Sequence, residues 1–319
     1  MDALSEFLRV VHLVGAIFIH GRFSAPWCYL SPPAESAAPV LQPNADRVVI
    51  FHMLLEGECI AEVPGEPEVC LRAGDVVLFP GGDPHRMASG ADVPAAPGTP
   101  LKELLARRPR ALSYGGGGAV TRMVCGYLAC DRRVAALLLS GLPRVLVVNV
   151  RGSNAGAWLE TSVRYALTEA RAPRPGGNAV LSKLAEVLIV EVLRMYTNEQ
   201  SAGRTGWLAG LRDRVVSVAL NAMHSDPARA WTLEQLAREA GTSRSVLVER
   251  FQHLVGCAPM QYLTQWRLMM AANLLGSTTT SLTRIAEDVG YKTDSAFSRA
   301  FRREYGRPPL AYRRARVAA

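Results

Sequence analysis

Two stretches of the sequence carry side chains that could recognise the edges of nucleic-acid bases. Each has residues at positions i, i+1, i+4 and i+5, a spacing that places them on one face of an α-helix. They are Arg244, Ser245, Val248 and Glu249 in the first stretch, and Asp294, Ser295, Ser298 and Arg299 in the second. Arginine suits the two hydrogen-bond acceptors of guanine, and a carboxylate can accept from cytosine. Glu249 has a second interpretation, in which it pairs with a neighbouring arginine on the surface.

The elements that would position these faces recur in the last third of the chain with a period near 50 residues. Ala237 and Gly241 recur as Ala286 and Gly290, at an offset of 49. The other recurring pairs, at an offset of 50, are Phe251 and Phe301, Gly256 and Gly306, Pro259 and Pro309, and Tyr262 and Tyr312. The change of offset means that the second copy has one extra residue after its first glycine.

Each copy has the sequence pattern of a helix-turn-helix. Thr232 and Gln235 form a capping box that opens a short helix, and Ala237 is small enough for the next helix to cross over it. Gly241 supplies a left-handed turn, and Ser243 caps the second helix. Residues 259–276 predict one long connecting helix. A rigid connector would place the two second helices in successive major grooves, about 34 Å apart.

The charge distribution agrees with a nucleic-acid partner for this region. Residues 207–319 contain 16 Lys and Arg against 9 Asp and Glu, a net charge of +7 out of +8 for the whole chain. A basic domain joined to a near-neutral one indicates that the basic half binds an acidic polymer. Five other arginines are expected to contact phosphates or to remain solvated: Arg302, Arg303, Arg313, Arg314 and Arg316. The sequence therefore predicts binding to double-stranded DNA.

The segment from Trp231 to Arg314 resembles the two-unit DNA-binding domain of the AraC/XylS transcription regulators. The resemblance includes both turns, the connector with Trp266 and Arg267, and the closing segment 306–312. Residues 207–224 would be the leading helix of that domain. The resemblance implies sequence-specific binding to promoter DNA and contact with RNA polymerase.

The first half of the chain contains short apolar runs between turn residues, which predict strands. Residues 74–85 follow the pattern G-x5-P-x-G-x2-H, and residues 52–65 follow H-x-H-x3-E-x6-G with Leu54 in place of the second histidine. Both patterns resemble the motifs of a cupin, and the region resembles the cupin sensor domain of many AraC-type regulators. The resemblance implies a β-barrel that presents His85 at its mouth and points His52 inward.

The cupin resemblance implies a divalent metal held by His52, Glu58 and His85, with water, an effector or a cysteine as the fourth ligand. Two histidines and a carboxylate suit zinc, iron or nickel. Because one histidine of the motif is missing, the alternative is a cupin fold without metal, whose polar groups bond to each other or to a ligand. Oxidant sensing by Cys28 or Cys125 is a further interpretation, although a lone buried cysteine commonly serves as a small apolar residue.

We predict an α+β protein in four parts: a cupin-like domain (1–155), a helical hairpin (156–197), a linker (198–206) and a DNA-binding domain (207–319). The hairpin is either a homodimer interface or a layer packed on its own β-domain. The acidic N-terminus and the lack of an apolar run of about 18 residues favour a cytoplasmic protein. The predicted function is transcription regulation controlled by a small molecule, metal or oxidant. The alternatives are a working cupin enzyme, such as a dioxygenase or isomerase, and a constitutive DNA binder.

Overall fold

A computed structural model describes residues 2–11, 13–42, 45–94, 111–151, 154–171, 175–199 and 204–317. They form two compact units, which we call the β-rich unit (residues 13–200) and the helical unit (residues 1–12 and 201–319). Among the described residues, both sheets lie in the β-rich unit, and the helical unit contains only helices. The predicted α+β class is therefore confirmed. No helix in the described ranges combines the length and the apolar character that a bilayer crossing requires.

The strands of the β-rich unit form two sheets. Their bounds are β1 (Val14–Ser24), β2 (Cys28–Ser31), β3 (Arg47–Glu56), β4 (Glu58–Glu62), β5 (Val69–Arg72), β6 (Asp75–Phe79), β7 (His85–Ala88), β8 (Ala111–Gly115), β9 (Val120–Cys130) and β10 (Leu146–Asn149). The six-stranded sheet has the order β10-β6-β3-β9-β1-β8 and the four-stranded sheet the order β2-β7-β4-β5. Only β1 and β8 pair in parallel among the described strands.

The two sheets contribute side chains to one apolar core. Ile50 and Val77 come from the larger sheet, and Cys59, Leu71 and Met87 come from the smaller one. The sheets have free edges, so the closed barrel that we expected is instead a pair of facing sheets. The inward positions of β3, β6 and β7 nevertheless point into a shared interior, as the cupin resemblance implies.

Four helices of the β-rich unit lie among its described residues: α2 (Ala34–Leu41), α3 (Arg132–Leu138), α4 (Asn154–Arg171) and α5 (Gly177–Glu199). The last two are the predicted hairpin. The apolar stripe of α5 is buried at Ala185, Leu188 and Val192. A Cβ at Gly15 of β1 would lie 2.8 Å from the Ala185 Cβ, so α5 packs closely on the larger sheet. The apolar stripe of α5 therefore packs on its own β-domain, which is the second of the two interpretations given for the hairpin.

The helical unit has a helix at each end of the chain. The helices described in this unit are α1 (Ala3–Val10), α6 (Trp207–Gly210), α7 (Arg214–Ser225), α8 (Leu233–Glu239), α9 (Arg244–Val255), α10 (Pro259–Ser277), α11 (Leu282–Asp288), α12 (Asp294–Tyr305) and α13 (Pro309–Val317). The leading helix predicted over 207–224 is two helices, because Asp213 accepts from the amides of Val215 and Val216 and caps a new start.

The N-terminal helix α1 packs within the helical unit, whereas we expected residues 1–12 in the cupin-like domain. Phe7 is fully buried, with its ring centroid 4.8 Å from that of Trp207 and 6.0 Å from that of Trp266. The Ala3 amide donates to Asn221 Oδ1 at 2.7 Å. Burial of an apolar helix face against distant aromatic residues decides this placement. The predicted linker (198–206) includes residues 200–203, which lie outside the described residues.

Candidate functional site

The first helix-turn-helix consists of α8 and α9. Thr232 and Gln235 form the predicted capping box at the start of α8. The chain then turns at Gly241, whose φ of +62° lies in the left-handed region that favours glycine. Ser243 accepts from the Val246 amide and so caps α9. These local interactions fix where α9 begins, and Leu247 and Phe251 anchor it in the core.

The second helix-turn-helix consists of α11 and α12 and repeats the arrangement. Ser281 caps α11 and Thr293 caps α12, while Gly290 turns the chain at a φ of +83°. Thr293 follows Gly290 by three residues, whereas Ser243 follows Gly241 by two. The extra residue that the repeat arithmetic predicted therefore lies in the turn, before the second helix begins.

The eight residues predicted to recognise bases lie on the first turns of α9 and α12. We call these two sets the reading faces. Six of their members are exposed and two, Val248 and Ser298, are partly buried. The two α-helices present them with similar geometry, because both faces follow an N-cap and precede a buried phenylalanine. The structure therefore brings each set together on one surface, while their contacts with bases stay a prediction.

The first residue of each reading face is bonded to the preceding helix. Arg244 Nη1 lies 2.6 Å from Glu234 Oε1, and the Thr283 hydroxyl donates to Asp294 Oδ2 at 2.7 Å. Glu234 and Thr283 occupy equivalent positions in the repeat, as do Arg244 and Asp294. Each helix-turn-helix thus has a bond at this position, but the chemistry differs. The first residue of the reading face is a cation in the first copy and a carboxylate in the second. Arg244 is held by Glu234, and no ion pair between Arg244 and Glu249 occurs among the described residues.

The other arginines of the predicted phosphate-contacting set are not equivalent. Arg302, Arg303 and Arg314 are exposed. Arg313 is partly buried, and its Nη2 donates to the Thr280 carbonyl at 2.5 Å, so it supports the fold. Arg316 lies over the Tyr312 ring at 5.7 Å. Exposure therefore favours Arg302, Arg303, Arg314 and Arg316 as candidates for phosphate contact, whereas Arg313 is disfavoured by its partial burial.

A second candidate site lies in the interior of the β-rich unit. His52 of β3 and His85 of β7 come from opposite sheets, and their Nε2 atoms are 2.8 Å apart. Both side chains are buried, and the Phe79 ring stacks on His85 with a centroid distance of 3.6 Å. Burial lowers the pKa of His85 to about 4. Burial, and then the neighbouring His85, lower the pKa of His52 well below its usual value. Both imidazoles are therefore neutral at pH 7.

The hydrogen bonds define a tautomer for each of these neutral rings. His85 Nδ1 lies 3.0 Å from the Asp83 carbonyl, which can only accept, so His85 carries its proton on Nδ1. His85 Nε2 is then an acceptor, and His52 must donate from Nε2. That assignment leaves His52 Nδ1 as a buried acceptor, and this atom has no partner in the described structure. A buried polar atom without a partner is costly, which marks a place for a ligand donor.

Glu58 does not join the two histidines. Its side chain is exposed on β4, where Glu58 is paired with Arg72 of β5. Among the residues that the structure describes, no three His, Cys, Asp or Glu side chains are grouped to hold a metal ion. The three-residue ligand set expected from the cupin motif is therefore not assembled here. The two imidazole Nε2 atoms converge without Glu58, because alternation along β4 directs Cys59 inward and Glu58 outward.

The two cysteines considered for oxidant sensing are both free and buried. Cys125 is directly opposite His52 in the β3–β9 pairing, and Cys28 lies in a separate small cluster with Ile60 and Ala88. Burial raises the pKa of the Cys125 thiol, which disfavours the reactive thiolate. Oxidant sensing at these residues stays a prediction, and the structure places Cys125 beside the histidine pair.

Comparison with known proteins agrees with both halves of this architecture. A cupin family model matches residues 2–198, and a helix-turn-helix domain model matches residues 236–315. The chain is 35% identical to a putative AraC-like transcription regulator of Streptomyces lividans, with 98% of each chain covered. It is 34% identical to a protein of the same description from Streptomyces antibioticus, covering 98% of this chain and 99% of that one. It is 26% identical to the HTH-type transcriptional regulator AlkR of Acinetobacter baylyi, with the same coverage.

A cupin unit joined to a pair of helix-turn-helix units defines a DNA-binding transcription regulator of the AraC type. The chain belongs to the family of AraC-like transcription regulators with an N-terminal cupin domain. The two resemblances stated from the sequence are thereby confirmed. The relatives named above are described as transcription regulators.

Proposed function

We propose that this regulator responds to a small ligand or metal ion bound at the His52–His85 pair, and that binding there changes its affinity for promoter DNA. The observation that carries the proposal is the unpartnered Nδ1 atom of His52. It belongs to a buried pair of neutral imidazoles, His52 and His85, whose Nε2 atoms converge. A protein interior rarely leaves such an acceptor unpaired. A ligand that donates a hydrogen bond to this atom would remove the cost.

A divalent ion is one ligand that this pair could accept. Binding to both Nε2 atoms would require the neutral His52 ring to carry its proton on Nδ1 in place of Nε2, so that both Nε2 lone pairs are free and no proton is lost overall. Zinc, nickel and iron suit imidazole nitrogen, and water, the effector or Cys125 would complete the ligand set. Glu58 has no part in this proposal, since its side chain is directed outward.

The test is equilibrium dialysis of the full chain against zinc, nickel and, without oxygen, ferrous iron. We expect about one ion per chain for one of these metals, with loss of binding in His52→Leu and His85→Leu. His253→Leu is the matched control, because His253 is an exposed histidine of the helical unit. No binding, or equal binding by all four proteins, would exclude the metal. A thermal-shift screen with metabolites on the same four proteins then tests for an organic effector.

We further propose that the reading faces bind bases of promoter DNA and that bound protein contacts RNA polymerase. These roles require access to the chromosome, which supports a cytoplasmic location. The DNA contacts are tested by anisotropy with duplexes from the region upstream of its own gene, against random duplex at physiological salt. Specific binding should be at least about a thousandfold tighter than random binding. Equal affinities would contradict sequence-specific binding.

We also propose that the chain forms a homodimer through the outer face of α4 and α5. Trp158 and Tyr165 of α4 are each 52% exposed and are seven residues apart, so they share one face. Val180 and Val187 of α5 have the same spacing and are each 41% exposed. Aromatic residues are enriched at the centres of protein interfaces. Analytical ultracentrifugation of the double variant Trp158→Ala and Tyr165→Ala should give a monomer, whereas an unchanged mass would exclude this face.

A further inference from the structure

We infer that Arg267 is a positioning residue that sets the spacing of the two reading faces. It does so by holding the α7–α8 loop (Asp226–Trp231), which precedes the first helix-turn-helix, against the turn of the second helix-turn-helix. The inference rests on the base contacts proposed for the reading faces. It concerns which operator spacings the protein accepts, a property that neither reading face determines alone.

The connecting helix α10 belongs to both cores. Its first half buries Tyr262, Leu263 and Trp266. Its second half contributes Leu268, Ala271, Ala272 and Leu275 to the core that contains Phe297 and Phe301 of α12. A helix of 19 residues is about 28 Å long. One shared helix resists stretching, but a second contact is needed to keep the two units from bending toward or away from each other.

Arg267 supplies one part of that second contact. It lies between the two halves of α10, and its Nε donates to the Pro227 carbonyl while its Nη2 donates to the Arg229 carbonyl, both at 2.7 Å. The side chain is partly buried, and burial lowers the pKa of its guanidinium. A planar guanidinium can bond two carbonyls at once, which a lysine ammonium cannot do with the same geometry.

The α7–α8 loop has a defined shape of its own. The Trp231 indole donates to the Asp226 carbonyl at 2.9 Å, and the Arg229 amide donates to the Asp226 carboxylate at 3.2 Å. The Arg229 guanidinium lies 4.0 Å from the centre of the Trp231 ring. These contacts hold the carbonyls of residues 227 and 229 in place for Arg267. The loop is therefore a rigid partner for the connecting helix.

The turn of the second unit touches this loop at Gly290. A Cβ at Gly290 would lie 2.7 Å from the Ala228 carbonyl oxygen and 2.9 Å from Arg267 Nη2. The equivalent Gly241 of the first unit also has a positive φ, yet nothing lies within 4 Å of a Cβ built there. Glycine at 241 is needed for backbone conformation alone. At 290 it is also needed because the two units meet around Arg267.

A fixed angle between the units has a consequence for the DNA site. One added base pair moves one half of the site by about 3.4 Å along the duplex and rotates it by about 35°. A rigid pair of units cannot follow this change without losing one set of contacts. If Arg267 holds the units, weakening its contact should lower affinity at the native spacing and reduce the penalty for an altered spacing.

The experiment uses the full chain and a duplex selected from a randomised library by the wild-type protein. The two halves of the site are located as the positions where Arg244→Ala and Arg299→Ala relax base preference, and one base pair is inserted between them. We expect the insertion to weaken wild-type binding by roughly 30-fold or more, the loss of several base contacts. For Arg267→Lys we expect weaker binding at the native spacing and an insertion penalty reduced to about fivefold or less.

Arg267→Lys keeps the net charge, so its affinity for random duplex should equal that of the wild type. A variant with weaker binding but the wild-type insertion penalty would overturn the inference.

Gly290→Ala and its matched control Gly241→Ala provide a second test, since both carry the cost of a positive φ and only Gly290→Ala meets the α7–α8 loop. A reduced penalty confined to Gly290→Ala supports the inference. Equal penalties in the two alanine variants contradict it, including when Arg267→Lys does not fold. If the reading faces do not select bases, neither half of the site can be located. That result would contradict the proposed base contacts and is distinguishable from a failure of the role inferred for Arg267.

Discussion

Arg244 Nη1 lies 2.6 Å from Glu234 Oε1, so the first residue of one reading face is held by the helix that precedes it. Both side chains are more than half exposed, so the pair contributes little to stability. Its importance lies in the direction that it gives to the guanidinium. The Glu234 carboxylate directs the Arg244 guanidinium toward α8, and the second helix-turn-helix has Thr283 and Asp294 in the same places.

Replacement of Glu234 should therefore change specificity more than stability. In Glu234→Gln we expect affinity for random duplex to rise, because a negative charge near the phosphates is removed. Discrimination at the base next to Arg244 should fall roughly fivefold, because the arginine loses its anchor. Glu287→Gln is the control, since Glu287 is an exposed glutamate of α11 that contacts Arg284 in its own helix. Anisotropy with single-base variants of the selected site measures both effects, and identical behaviour of the two variants would contradict the expectation.

Two arginines of the second unit should differ in the kind of affinity that they provide. Arg299 belongs to a reading face, and Arg314 is an exposed residue of α13. We expect Arg299→Ala to relax specificity at one base position by about 1–3 kcal/mol, and Arg314→Ala to weaken all sequences alike. The salt dependence of random-duplex binding should be shallower for Arg314→Ala, as one phosphate contact is lost. If both variants changed specific and random binding in the same ratio, the assignment of the reading face would be wrong.

The histidine pair should make stability depend on pH. The unfolded chain binds a proton at His85 near pH 6.5, whereas the folded protein does so only near pH 4. Between these values the unfolded state holds more protons, so the free energy of unfolding decreases as the pH falls, by up to about 3 kcal/mol for this group. Its contribution is fully present above pH 6.5 and is lost toward pH 4.

Denaturant unfolding of the full chain at pH 7, 6 and 5 measures this dependence. His85→Gln should show a shallower fall than the wild type, and His253→Gln, which replaces an exposed histidine, should keep the wild-type fall. Nitrogen-15 shifts of the wild-type imidazoles should in addition place the proton of His85 on Nδ1 and that of His52 on Nε2. An unchanged pH dependence in His85→Gln would show that the folded protein binds this proton normally.

The N-terminal helix should stabilise the DNA-binding half of the molecule. Phe7→Ala removes a fully buried ring from between Trp207 and Trp266, a change that costs about 3–5 kcal/mol at such sites. Leu8→Ala on the same helix is the control, because Leu8 is only partly buried and should cost less. Unfolding followed by tryptophan fluorescence distinguishes them. Equal losses would mean that Phe7 is not anchored against the two tryptophans.

The sequence alone determined the parts of this protein that depend on local interactions. Capping residues, glycines in left-handed turns and an apolar period of a helix act within a few residues, so Thr232, Gly241 and Ser243 predicted the first helix-turn-helix correctly. The repeat also predicted the extra residue of the second turn. The cupin motifs predicted that His52 and His85 would be inward, because side chains alternate along strands.

Tertiary structure decided what depends on which segments meet. Register and strand alternation on β4 turned Glu58 toward solvent, and no spacing in the motif contained that information. The packing of Phe7 against two tryptophans more than 190 residues away put α1 in the helical unit. The contact of Arg267 with the α7–α8 loop and Gly290 likewise joins three segments that are distant in sequence. These outcomes follow from burial and hydrogen bonding between distant parts of the chain, which sequence patterns of short period do not encode.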